Sequence, residues 1–456
     1  LIARMFARTA SKLSLRGARH LSTSQCTTLA SGLRVASQHM EGETATVGVW
    51  IDTGSRYETE KNNGVAHFLE HMFFKGTPNR TRAQLEQEIE DMGGHLNAYT
   101  SREQTVFYAK VMKSDLNQGL DVLSDILTNS TFSPAAIDAE RDVILREMQE
   151  VESQMEEVIF DRLHETAYRG TALARTILGP EENIKSLTQE DIKEYVGTHY
   201  VAPRMVVAAA GDVDHEALVA EVEKKFGGVP TKSITGNEAF MEPARFIGSD
   251  IRVREDSMPL LHVAFGFPTA GWTDPDNFPL MVIQNMIGTW DKSNTAGQHS
   301  SSELIATIAK KDAAESITTF NTQYSDTGLF GVYTVCDPMT AEELYYNVTY
   351  RFTDICYNVD PLLVEEAKNR LKLTMLSQED GTTTVCEELG RQMLTYGRSM
   401  SRAETLARID AVDAAAVKAC ANRYFYDRDH CLAAVGNCHE LQDYNFHRRR
   451  SYFLSY

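Results

Sequence analysis

The chain of 456 residues is short of several things. It has no long apolar run: stretches such as Met205–Gly211 fall far below the ~18–20 residues that span a bilayer, so no membrane-spanning helix is expected. Its seven cysteines (26, 336, 356, 386, 420, 431 and 438) are odd in number, scattered, and form no C-x-x-C pair. That argues against a disulfide framework or a cysteine-based metal site, and for a reducing compartment. Basic residues are in deficit, 45 Lys and Arg against 64 Asp and Glu, for a net charge of −19. Acidic residues in turn are missing from residues 1–40, which hold Arg4, Arg8, Lys12, Arg16, Arg19 and Arg34. Without that segment 39 basic residues face 64 acidic ones, a net charge of −25. Such a body repels phosphate, which excludes nucleic acid as a partner. A field of one sign concentrates ligands of the other, so a cationic substrate is expected; solubility alone is the alternative.

What is present starts with the N-terminus. Arg4, Arg8, Lys12, Arg16 and Arg19 recur every three to four residues, on one face of a helix, with apolar residues between them. An Arg-rich, Ser-rich, acid-free amphipathic segment describes a mitochondrial transit peptide. Residues 1–28 are assigned to it, with the mature chain expected to begin between about Leu21 and Leu29.

The remainder reads as an α+β mixture. Strands are expected at Thr46–Thr53, Asn97–Val111 and Met205–Ala210, and helices at Asn63–Phe74, Arg82–Met92, Leu116–Asn129, Pro134–Tyr168, Gln189–His199 and Asp214–Phe226. The second half repeats this plan. His262–Gly271 matches Thr46–Ser55, Asn277–Ile287 matches Asn63–Phe73, and Thr322–Val335 matches Ala98–Val111, with an insertion placed in Trp290–Ser301. Two homologous α+β halves follow, each a mixed, mostly antiparallel sheet packed with long helices. They span residues 29–228 and 246–456, joined by a linker at 229–245 rich in Gly, Pro, Ser and Thr.

The first helix of the first half contains His67-Phe68-Leu69-Glu70-His71. Residues i and i+4 share a helix face, so two imidazoles there can hold one Zn²⁺, with Glu70 on the same side. A carboxylate beside a zinc-bound water can take its proton. H-x-x-E-H is the inverted form of the zinc-peptidase motif. Two histidines and a glutamate on a surface helix are the competing reading. A catalytic zinc needs a third ligand from another element. Ala139–Val151 offers Glu140 and Glu147, two turns apart on the face of Ile144; pairing with Arg141 or Arg146 is the alternative.

His67–Thr77 (HFLEHMFFKGT), Asn97–Tyr108 (NAYTSREQTVFY) and Glu140–Glu150 (ERDVILREMQE) together resemble the pitrilysin-type metallopeptidases. The resemblance runs from about residue 27 to the C-terminus. Within that family it is nearest to the two-subunit processing peptidases of mitochondria and to their relatives among core subunits of the respiratory cytochrome-bc complex (complex III). It implies a zinc endopeptidase with His67, His71 and Glu147 as ligands, Glu70 as general base and Glu140 supporting the site from behind. It implies that Phe74 packs against the residue after the cleaved bond, that Asn97, Ala98 and Tyr99 take the substrate as an added strand, and that Glu157 and Asp161 hold a substrate Arg. It gives Tyr324 a reach to the substrate carbonyl. It implies a second chain of the same fold (an α subunit or second core protein), cationic presequence peptides as substrate, and a place on the matrix side of the inner membrane. The tail Asp443–Tyr456 (DYNFHRRRSYFLSY) resembles forms built into complex III, so a dual role is expected, with a purely structural core subunit as the alternative. In the repeat, His67, Glu70 and His71 become Met281, Gln284 and Asn285, so one metal site is expected per chain.

Overall fold

The computed structural model describes residues 24–378 and 380–453. Two six-stranded sheets carry the fold. In the first half the strands are β1 (Ser24–Thr28), β2 (Arg34–His39), β3 (Thr44–Ile51), β4 (His95–Thr100), β5 (Thr105–Met112) and β6 (Met205–Gly211), in the order β1-β2-β6-β3-β5-β4. In the second they are β7 (Ser249–Arg254), β8 (Leu261–Thr269), β9 (Trp290–Asp291), β10 (Ser316–Gln323), β11 (Gly328–Cys336) and β12 (Cys431–Gly436), in the order β7-β12-β8-β11-β10-β9. The run β2-β6-β3-β5-β4 repeats as β7-β12-β8-β11-β10, down to the one parallel pair in each, β2 with β6 and β7 with β12. Only β1 and β9 lack a counterpart, so the two halves share one α+β plan.

The helices of the first half are α1 (Val65–Phe73), α2 (Arg82–Asp91), α3 (Leu116–Asn129), α4 (Pro134–Val151), α5 (Met155–Ala167), α6 (Glu181–Ser186), α7 (Gln189–His199) and α8 (His215–Phe226). In the second half they are α9 (Asn277–Ile287), α10 (Glu303–Lys311), α11 (Ala341–Tyr357), α12 (Pro361–Gln378), α13 (Thr382–Thr395), α14 (Arg402–Asp410), α15 (Ala414–Tyr424) and α16 (Tyr444–Arg449). Helices bury one face of each sheet. In the first half Phe68, Leu69, Met72 and Phe73 of α1 pack with Val47, Val49 and Phe107 of the sheet.

The opposite face of each sheet is covered from the other half. Ile159, Leu163 and Ala167 of α5 pack on Ala264, Leu329 and Ala433 of the second sheet. Val385, Cys386, Leu389 and Met393 of α13 pack on Trp50, Val106, Val206 and Ala208 of the first. Gly390 permits this approach, because a Cβ there would strike the Trp50 indole.

Several expectations are corrected. The single strand expected over Asn97–Val111 is a hairpin, β4 and β5, turned where Ser101 N donates to Gln104 O at 2.7 Å. The single helix expected over Pro134–Tyr168 is α4 and α5, because the chain leaves its own half after Val151 to cover the other sheet. Ser24–Thr28, placed above in the leader, form β1 paired with Arg34–Gln38, so the sheet already occupies the end of that segment. The leader assignment otherwise falls on residues 1–23, outside the described residues. The longer connection at 288–302, compared with 74–81, contains β9, where the insertion was placed. Residues 227–248 contain neither helix nor strand.

The two halves are pinned by a buried cation. The Arg56 guanidinium meets Glu103 at 2.5 Å and Asp326 at 2.7 Å, and donates to the Glu242 carbonyl. Among the described residues no helix is long and apolar enough to cross a membrane.

Candidate metal centre

The central helix α1 has no side-chain cap of its own: Gly64 sits at its start with φ of +100°, a conformation open to glycine. Glu58 does the capping from eight residues upstream of Ala66. Its Oε2 accepts from Gly64 N (2.9 Å) and Asn63 Nδ2 (2.7 Å), and its Oε1 from Ala66 N (2.7 Å). The Gly64 and Ala66 N–H groups are thereby satisfied by one carboxylate at the positive end of the helix dipole, while Val65 N donates to the Asn62 carbonyl. Burial nevertheless pushes the Glu58 carboxyl up to about 7. The folded chain thus holds a proton there that the unfolded chain, near 4.5, releases. Its contribution to stability therefore falls as pH rises from about 4.5 to about 7. Denaturant unfolding across that window should show this downward slope in the wild type and its loss in Glu58→Gln; equal slopes would refute the assignment.

One turn into α1 the motif forms a cluster. His67 is buried, and its ring meets that of His71 edge-on, centroids 4.8 Å apart. From α4, Glu147 Oε1 stands 3.5 Å from His67 Nε2, and its Oε2 stands 3.2 Å from His71 Nε2. These three side chains offer ligand atoms within 4.8 Å of one another. Ligands held tetrahedrally at ~2.0–2.1 Å lie ~3.3–3.4 Å apart, so the donor set and spacing fit a single zinc ion. The alternative pairings for α4 are not what forms: Arg141 reaches the carbonyls of Ile184 and Leu187, and Arg146 that of Asp142.

Glu140, buried beside the cluster, lies 2.9 Å from His71 Nδ1 and 2.6 Å from Lys75 Nζ. It fixes the ring so that Nε2 faces Glu147, the usual second layer behind a metal-binding histidine. Burial disfavours an imidazolium at His71, but hydrogen bonds to Glu140 and Glu147 outweigh it and push the ring up to about 9. Hydrogen bonds from His67 and His71 hold Glu147 well below the usual carboxylate range. Glu70 Oε2 accepts from the Thr100 hydroxyl at 2.6 Å.

The other expected residues sit as follows. Phe74 ends α1, half-buried, its ring 6.1 Å from that of Phe107. Asn97, Ala98 and Tyr99 lie on β4, the outermost strand of its sheet. The Ala98 N–H is held by the Asn97 side chain at 2.9 Å and is not spent in a ladder. Glu157 is exposed on α5, whereas Asp161 pairs with Arg102 at 2.7 Å. Tyr324 is buried between the halves. His164 Nδ1 donates to the Phe160 carbonyl, leaving Nε2 to accept the Tyr324 hydroxyl at 2.7 Å. In the second half the Gln284 amide donates to the Thr319 carbonyl and Asn285 to Met281, and no metal-ligand cluster forms there among the described residues.

Sequence reasoning missed Glu58, Lys75 and Thr100. Lys75 follows His71 by one helical turn and was within reach of the spacing argument. Thr100 needed the hairpin, and Glu58 needed the tertiary fold.

Two imidazoles and a carboxylate converging from two helices, with a separate carboxylate on the same face, form a metallopeptidase-type centre in one half of an internally duplicated α+β protein. Residues 34–181 match the family described as Insulinase (Peptidase family M16), and residues 186–371 match Peptidase M16 inactive domain. The chain belongs to peptidase family M16; the inactive-domain match begins within the first half, at its last helices and strand, and runs into the second. Similar proteins include "Probable mitochondrial-processing peptidase subunit beta, mitochondrial" of Arabidopsis thaliana, 53% identical over 94% of this chain and 81% of that protein. "Mitochondrial-processing peptidase subunit beta" of Bos taurus is 50% identical over 92% and 85%, and that of Blastocladiella emersonii 49% over 98% and 96%. Among solved structures, a chain of "Complex III2 from Candida albicans, Inz-5 bound" superposes with a TM-score of 0.85, covering 94% of this chain and 100% of that one at 22% identity, which is a likeness of fold.

Proposed function

We propose that the chain is the catalytic, β-type subunit of a mitochondrial processing peptidase, a zinc endopeptidase that removes N-terminal presequences from imported proteins. The observation that carries this reading is the undamaged cluster His67, His71 and Glu147, with Glu70 from the same helix hydrogen-bonded to Thr100. The names of relatives near 50% identity point the same way. His67, His71 and Glu147 would hold Zn²⁺, with Glu140 orienting His71. A zinc ion there supplies Lewis acidity to the scissile carbonyl and makes water a stronger acid. Glu70 is the base: the Thr100 hydroxyl occupies its Oε2, leaving Oε1 to take the proton from the attacking water and return it to the leaving amine. Phe74 receives the residue after the cut. Asn97–Tyr99 bind the substrate by strand addition at the open edge of β4. Glu157, exposed, is free to take a substrate Arg, while Asp161 must first release Arg102. Tyr324 has no place in this scheme, its hydroxyl being spent on His164.

The name "subunit beta" implies a partner, and we infer an α subunit of the same fold, on the matrix side of the inner membrane. A further role as a core subunit of complex III rests on the tail sequence Asp443–Tyr456; a purely structural subunit is disfavoured by the intact cluster. On the native assembly, about one zinc per chain and chelator-sensitive cleavage of an Arg-containing presequence peptide are expected. No metal and no cleavage, with the chain co-purifying with cytochromes, would overturn the reading.

A further inference from the structure

The strand proposed to take the substrate has two faces, and they belong to different halves of the chain. In β4 the even residues point to the metal side: Leu96 and Ala98 pack in the core under α1, and Thr100 touches Glu70. The odd residues point the other way. Asn97 donates to the Tyr108 hydroxyl, and Tyr99 packs with Trp50 and Val106 beneath α13. That helix comes from the second half. At the sheet edge it presents Glu387, whose Oε1 accepts from the Tyr99 hydroxyl at 3.2 Å. Glu387 is exposed and makes no ion pair among the described residues. The cation one turn along, Arg391, is taken by Glu388 and stacks over Trp272 at 5.2 Å.

A peptide added to the edge of β4 must obey the same alternation. Residues directly opposite in paired strands share a face, and successive side chains change face. The peptide residue that meets Phe74 lies on the metal face. Its immediate neighbours lie on the other face, over Tyr99 and beside Glu387.

We propose that Glu387, carried by the helix α13 of the second half, is a specificity-determining residue that takes a cationic side chain of the bound peptide on the face of β4 opposite the metal cluster. This rests on the peptidase reading above. The site differs from the Glu157 and Asp161 pair in element and in half. The cation it takes stands an odd number of residues from the one that fills the Phe74 site. The acidic body of the protein would gather cationic peptides of any register; Glu387 would select among registers, because a charge-assisted contact is directional.

The test uses the assembled enzyme and a panel of presequence-like peptides in which one Arg is moved position by position, with norleucine as the neutral comparison. The wild type should prefer Arg over norleucine at alternate positions, odd in distance from the residue at Phe74. In Glu387→Gln that preference should collapse about tenfold, in KM and not in kcat, with zinc content unchanged. The same preference in the variant as in the wild type, or a preference at even distances alone, overturns the proposal. Binding of the panel to a Glu70→Gln assembly, read by fluorescence anisotropy, tests Glu387 without turnover. A chain that binds the peptides in this pattern and never cleaves them would sink the peptidase reading and leave the Glu387 assignment standing.

Discussion

Glu70→Gln should leave the protein folded and metal-loaded and lower kcat for presequence cleavage by about 10²–10⁴-fold, the range a positioned general base contributes. The amide has nearly the same shape as the carboxylate and can still accept from the Thr100 hydroxyl, so the packing of α1 survives. What it lacks is the basic oxygen that takes the water's proton. Replacing His67, His71 or Glu147 removes one of the three converging donors, so those variants should lose bound metal along with activity. The separation is the informative part: elemental analysis and turnover measured on the same preparations must diverge for Glu70 and coincide for the other three. A Glu70→Gln enzyme that cleaves at near the wild-type rate would remove Glu70 from the role of base.

The second large effect is structural. Arg56→Met should destabilise the protein by about 3–5 kcal/mol, the cost of leaving buried charge without its partner. The Arg56 side chain is fully buried and joins three parts of the chain: Glu103 in the β4–β5 turn, Asp326 in the turn before β11, and the Glu242 carbonyl between the halves. Methionine fills much of the volume but leaves Glu103, itself largely buried, with only the Ser325 hydroxyl and N–H. Denaturant unfolding should show the loss as a shift in midpoint and a broader transition, as the halves uncouple. A cost under 1 kcal/mol would mean that the exchanged helices alone hold the halves together.

How far the sequence could be read depends on the range of the forces involved. The metal motif was legible because i and i+4 in one helix are neighbours whatever surrounds the helix. Glu140 and Glu147 were legible as one face of α4 for the same reason. The repeat was legible because each half buries the same faces of the same elements. The β4–β5 turn was lost because Thr100–Thr105 has no glycine or proline to mark it, and Arg102 and Glu103 at its tip are used in contacts with Asp161 of α5 and Ser325 of the second half. The break between α4 and α5 was lost because residues 152–154 are compatible with a helix, and only the exposed face of the second sheet calls the chain away. The contact of the Tyr324 hydroxyl with His164, 160 residues away, was hidden for a similar reason.

The exchange of α5 and α13 also constrains the order in which the molecule can be made. The first sheet has its last strand at Gly211, but the helix that closes its outer face begins only at Thr382. A ribosome, or an import channel, delivering the chain from its N-terminus exposes Trp50, Val106, Val206 and Ala208 to solvent until most of the second half has emerged. Neither half alone can hide its apolar sheet, so the nascent first half should depend on a chaperone during that interval, and a fragment ending near residue 248 should aggregate when expressed alone.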